Sequence, residues 1–332
     1  MSIWKLSAGT AAVIGKKQMK LEVPPTTAYI MLGEKCRNNC SFCAQSQGST
    51  TRSDMLSRVT WPDIPSDEAV AGISAAYRTG RLKRVCLQVV KNSDSRQTSF
   101  AALQAITAKS AIPVCISSNI ESVEQAREML ACGADRVSIA LDAAVPEIFR
   151  EVKHDSWERR WSLLLECAKA LPGRISTHLI VGLGETEKEM VSTIANCIAR
   201  DINVGLFAFT PLKGTAWADK KPPAIEHYRR IQIAFHLIKK GIDHKNFKYR
   251  EGQIADFGLP VEKLLAMLAD GKAFETSGCE DCNRPYYNER PGGIMYNYPR
   301  PLTQPEVSQA VEECGIIASG IEVKDNDKMA AC

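Results

Sequence analysis

The chain has no run of about 18 apolar residues, the length a membrane-spanning helix needs. Met1 to Lys20 also lacks the apolar stretch of a secretory signal. A cytoplasmic location is therefore expected. A large excess of one charge is missing as well: 42 Lys and Arg against 38 Asp and Glu leave +4, spread along the chain. That balance points to neither nucleic acid nor a membrane surface as a partner. Fixed-period repeats, low-complexity tracts and Ser/Gly linkers do not occur, which excludes a solenoid or a string of loosely tethered modules. Histidine is scarce, with five in 332 residues. His178 is the one that falls in a strand of interest, where a hydrogen-bonded core role is expected of it.

What is present is a full core and many cysteines. The chain is 45% hydrophobic and 24% charged, as in a folded globular protein. Its 12 cysteines have no disulfide role in a reducing compartment, so they are read as packing residues, nucleophiles or metal ligands.

Strand-like runs alternate with helix-like runs. The strands are expected at Ala28–Leu32, Arg84–Val90, Pro113–Ser117, Arg136–Leu141, Ile175–Val181 and Val204–Phe209. Ser66 is expected to cap a helix that closes before Gly80. Glu121 to Cys132 reads as a helix stopped by Gly133, and Thr186 with Glu189 as a capping box. Six β–α units imply an α/β fold with a parallel sheet, either open and doubly wound or a partial or complete TIM-type (β/α) barrel. The expected division is an extension over 1–25, a barrel over 26–250 and a C-terminal extension over 251–332.

Directly after the first strand comes Cys36-Arg-Asn-Asn-Cys40-Ser-Phe-Cys43. Three thiols at this spacing can hold three corners of a [4Fe-4S] cluster and leave one iron open. Arg37 and loop N–H groups would favour the thiolates. A zinc knuckle would want a fourth ligand nearby, and Ala44 to Thr51 supplies none. A second close pair is Cys279-Glu-Asp-Cys282. Cys132, Cys167 and Cys197 fall on apolar helix faces and are read as packing. Cys314 is expected near the end of a helix begun around Pro305, and Cys332 at a frayed terminus.

The Cys-x3-Cys-x-aromatic-x-Cys loop, with Phe42 as the aromatic, resembles the signature of the radical S-adenosylmethionine (SAM) superfamily. The resemblance implies that the open iron binds SAM, whose reductive cleavage gives a 5′-deoxyadenosyl radical. Ile180-Val-Gly-Leu-Gly-Glu-Thr186 looks like the segment after the fifth strand in biotin synthase, which implies cofactor roles for Gly182, Gly184 and Glu185. Trp157-Glu-Arg-Arg160 resembles the same family's Glu-Arg pair, so Arg159 rather than Arg160 would contact SAM. Asn119 and Asp142 sit where ribose contacts occur in similar enzymes, and both equally suit helix caps.

The likeness to biotin synthase covers Thr26 to about Thr210 and breaks at the second cluster that family carries. Cys86 and Cys115 match two of its ligands, but Ser176 stands at the third. Either cysteine could instead be a small buried hydrophobe. The expected auxiliary [4Fe-4S] cluster uses Cys86, Cys115, Cys279 and Cys282. The segment Asn283 to Gly293 resembles the cysteine-bearing tail of the two-subunit type of lipoyl synthase. That resemblance implies sulfur insertion into the octanoyl chain of a lipoyl carrier protein. It also implies a second related radical SAM subunit and an electron donor such as ferredoxin or flavodoxin as partners. Tyr286, Tyr287, Asn288 and Arg290 could shape the site, bind the partner or pack the tail. The rivals are a carbon-skeleton or metallocofactor-maturation enzyme of the same barrel, biotin synthase itself, and a non-catalytic cluster carrier.

Overall fold

The structure, a computed structural model, describes residues 2–289 and 292–316. Arg290 and Cys332 lie outside the described residues. Six parallel strands, Thr27–Leu32, Arg84–Val89, Val114–Ser117, Arg136–Ser138, Ile175–Val181 and Asn203–Ala208, pair in chain order without a skip. Right-handed crossovers that always step the same way put their helices on one face. The sheet must then curl to cover its other face. The open, doubly wound alternative is thereby excluded, and the fold is a partial TIM-type barrel.

The N-terminal segment is part of this sheet. Ile3–Leu6 pairs antiparallel with the first barrel strand and with Asp63–Pro65. Trp4 and Leu6 are buried in the main core. The fourth barrel strand is shorter than expected, ending at Ser138 rather than Leu141. There the Thr177 hydroxyl donates to Ile139 O at 2.8 Å and accepts from Leu141 N at 3.1 Å, and so replaces the ladder. Ser66 is the first residue of its helix, not the cap, because Pro65 takes that place. The capping box of Thr186 and Glu189 forms as expected, and the helix after Ser122 ends at Ala131, before Gly133. Cys167, Cys197 and Cys314 are buried in the core, with Cys132 packed against it.

Among the described residues no strand pairs with the far side of the sixth barrel strand. An exposed strand edge is a hazard that proteins cover. Here the segment 276–289 does so. Leu206 N donates to Ser277 Oγ at 2.8 Å, Arg284 donates to Leu206 O at 3.2 Å, and Asn288 Nδ2 donates to Ala208 O at 2.9 Å. The same segment reaches the first strand, where Arg284 N donates to Tyr29 Oη at 2.9 Å. It therefore fills the seam between the first and last strands.

Candidate active site

The loop carrying Cys36, Cys40 and Cys43 leaves the first barrel strand and turns back on itself. Cys36 N donates to Gln45 O at 2.8 Å and Cys43 N to Cys40 O at 3.1 Å. All three cysteines line one cavity of about 300 Å³ at the C-terminal ends of the strands. Its walls are largely apolar, including Met31, Leu56, Phe207, Phe209 and Leu212. Burial pushes the Cys43 thiol up to about 12 and raises Cys40 as well. The cation facing these thiols is Lys153, which opposes that shift at both. Arg37, expected in that role, is exposed, and its backbone N–H is spent on Lys91 O.

Lys153 is ion-paired with Asp142, and both line the cavity. Asp142 adopts φ 67°, and its backbone bridges to the fifth strand, donating to His178 O and accepting from Ile180 N. Burial holds His178 neutral, its pKa lowered to about 4, with its ring edge-on to Phe207.

The other expected SAM contacts lie outside the cavity lining. Arg159 faces solvent and pairs with Asp155 at 2.6 Å. Arg160 is the inward member of the pair, donating to Ile120 O at 2.9 Å and to Asn119 Oδ1 at 3.3 Å. Glu185 is buried and accepts from Gly182 N at 2.7 Å and Leu183 N at 3.0 Å, so it pins the glycine turn from within. Burial nevertheless raises its carboxyl to about 7. Gly182 sits at φ 97°, where a Cβ would meet Pro223 at 2.9 Å, so only glycine fits. Gly184, at φ 120°, is likewise confined to glycine by its backbone.

The second set of cysteines lies deeper in the barrel. Cys86 and Cys115 are direct register partners on the second and third strands. Gln88 and Ser117, which line the cavity, stand two residues above them on the same strand faces. At ~3.3 Å per residue the two levels are about 7 Å apart. Cys279 comes from the seam segment to touch Cys115, and Cys115 also meets Cys86. Contact with Cys115, then burial, drives the Cys279 thiol far above its usual range.

Cys282 Sγ lies 3.4 Å from Tyr29 Oη and 3.5 Å from Arg284 Nη1. It packs in the same cluster as Cys86 and Tyr287. The four cysteines therefore gather in the lumen, sealed below by tail contacts such as Lys83 with Asp281 at 2.8 Å and Thr26 N with Asn283 Oδ1 at 3.0 Å. Among the described residues no three Cys, His, Asp or Glu side chains converge as they would around one ion. A cubane takes one cysteine per iron, a wider arrangement. Two all-sulfur donor sets, one of three thiols and one of four, suit iron–sulfur clusters better than hard cations.

Tyr287 and Asn288 of the same segment roof the cavity. The Tyr287 hydroxyl donates to Gln88 Oε1 at 3.0 Å, and its ring touches Tyr29, Trp61 and Phe207. Tyr286 points away and bonds Glu22.

The sequence profile of the radical SAM superfamily matches residues 30–197, just over half of the chain. A biotin synthase from Frankia alni is 28% identical over 205 residues, which cover 61% of this chain and 56% of the relative. One from Mycobacterium ulcerans is 29% identical over 189 residues, 55% of this chain and 51% of the other. The alignments thus span little more than half the length of these relatives. Methylornithine synthase shares the fold with a TM-score of 0.50 at 13% identity, over 68% of this chain and 66% of that one. The superfamily works with a [4Fe-4S] cluster and SAM. The cysteine loop, the cavity it opens on and the matched profile agree: this chain belongs to the radical SAM superfamily of enzymes.

Proposed function

We propose that this chain inserts sulfur into an unactivated methylene of an octanoyl group carried on a lipoyl carrier protein, as one subunit of a two-protein lipoyl synthase. The observation that carries the proposal is the meeting of Cys86 and Cys115 with Cys279 and Cys282 one level below the SAM-side cavity. A second sulfur-rich site there supplies what sulfur insertion needs and what a carbon-skeleton rearrangement does not require.

When bound, the groups held by the two cysteine sets supply a hydrogen-abstracting radical and a sulfide donor. The chain's own residues do the rest. Cys36, Cys40 and Cys43 hold the first cluster and leave one iron for SAM. Asp142 and Lys153 present a fixed carboxylate–ammonium pair to the cavity, suited to the ribose and amino-acid ends of that cofactor. Apolar walls at Met31, Leu56 and Phe207 fit a straight alkyl chain and keep water from the radical. Tyr287 and Asn288 close the roof from the same segment that brings the second cysteine pair. The barrel proper would run over 26–250, with 251–332 as the segment that completes the second site. An octanoylated carrier, a related radical SAM subunit and a flavodoxin- or ferredoxin-type donor are the proposed partners.

Anaerobic incubation of the reconstituted chain with SAM, a reductant and an octanoylated carrier peptide tests this directly. Mass spectrometry is expected to show one sulfur gained on the octanoyl group. Cleaved SAM with an unmodified octanoyl group, whether or not the related subunit is added, would contradict it.

A further inference from the structure

Among the described residues, the lumen at and just above the second cysteine set contains three buried polar atoms with no hydrogen-bond partner: Ser138 Oγ, Ser176 Oγ and Arg136 Nε. The two serines are nearly inaccessible, at 0% and 4% exposure. Such groups usually find a partner, because an unsatisfied buried hydroxyl is costly. The strand period fixes where they point. On the fifth strand Thr177 bonds outward to the neighbouring strand's backbone, so Ser176 faces the lumen together with His178, which lines the cavity. On the fourth strand Val137 packs into the main core, so Arg136 and Ser138 on either side of it share the opposite, inward face.

Register places Arg136 level with Cys115, and Ser138 and Ser176 level with Ser117, one step towards the cavity. Ser176 also pairs with Asn203, whose amide lies 3.8 Å from Cys279 Sγ, so the serines bound the cysteine set from the cavity side. The cysteines come from the second and third strands and the seam segment, while the three unsatisfied donors come from the fourth and fifth.

We propose that Ser138, Ser176 and Arg136 donate hydrogen bonds to the sulfides of the second cluster and act as positioning residues that set its reduction potential. The inference rests on the presence of that cluster. Donors to sulfide favour the more electron-rich state, so they raise the potential. They also explain why this part of the lumen keeps polar groups that nothing in the protein alone satisfies.

The test compares wild type, Ser138→Ala/Ser176→Ala and Ser176→Thr, each reconstituted anaerobically. Iron content is measured with the midpoint potentials of both clusters by EPR-monitored titration, and apo-chain thermal unfolding is recorded alongside. The double alanine variant is expected to keep about eight irons on the four-iron stoichiometry. The potential of one cluster should shift downward while the other stays fixed, and Ser176→Thr, which keeps a hydroxyl, should restore part of the shift. The apo chain should melt higher, since two unsatisfied hydroxyls are gone. Full iron with both potentials unchanged overturns this inference and leaves the second cluster standing. So does an apo chain that melts lower, because the hydroxyls would then serve the protein itself. About four irons in the wild type overturns the second cluster itself.

Discussion

The Cys279→Ala/Cys282→Ala chain is expected to go on cleaving SAM while losing sulfur insertion altogether. On the proposed reading the two activities draw on separate thiols. Cys36, Cys40 and Cys43 sit on a loop at the top of the barrel that shares no hydrogen bond with Cys279 or Cys282. The tail pair instead meets Cys115 and packs near Cys86, below Gln88 and Tyr287. Alanine at both positions removes the tail's hold on a second cluster without touching the backbone contacts of the seam, such as Leu206 N with Ser277. Retained 5′-deoxyadenosine formation certifies that barrel and loop are intact, and the missing sulfur on the octanoyl product is the measured loss. If the double variant still formed thiolated product, Cys279 and Cys282 would have no part in sulfur delivery.

Glu187→Ala is expected to destabilise the apo chain by about 3–5 kcal/mol, the usual cost of removing one partner of a buried ion pair. Glu187 is fully buried in the first turn of the helix after the glycine-rich segment. It accepts from Arg230 Nη2 at 2.7 Å and Nε at 2.9 Å, and from Ile254 N at 2.6 Å, with His227 Nδ1 at 3.4 Å. One carboxylate thus ties that helix to the helix Ile225–Lys239 and to the hairpin strand Gln253–Asp256. Alanine leaves Arg230 Nε and Nη2 and the Ile254 N–H without their acceptor, while Arg230 Nη1 keeps Cys314 O. Urea unfolding of the two apo chains measures the loss, and a difference below about 1 kcal/mol, the scale of an exposed pair, would refute it.

Local rules carry much of the architecture. The six strand runs and the capping box at Thr186 follow from short-range patterns that the folded chain keeps. The cysteine loop was legible for a similar reason: its ligands lie within eight residues, so spacing alone describes them. The limits are equally physical. Ser66 looks like a cap in isolation, but Pro65 already supplies the extended residue before the helix. Thr177 shortens the fourth strand through a side chain bonded to a neighbour 36 residues away, which no local pattern reports.

Lys153 was missed because it ends a helix and reads as an ordinary C-terminal cation; only the fold turns it onto Cys40 and Asp142. Arg159 drew attention through its motif, yet the helix phase sends it outward and its neighbour inward. Arg284, stacked 4.2 Å from the Phe207 ring centroid, is placed by the seam, a contact between the two ends of the barrel that sequence order hides. Alternation along the strands was the one available signal for Ser138, two residues from Arg136 on the same face.

Iron and acid-labile sulfide per chain, after anaerobic reconstitution of the wild type, bear most directly on the central claim. Two cysteine sets in one barrel predict about eight irons and eight sulfides, on four of each per cubane. Of these, about four irons should be lost when Cys279 and Cys282 are replaced. About four irons in the wild type, unchanged in that variant, would contradict the second cluster and with it the proposed sulfur insertion.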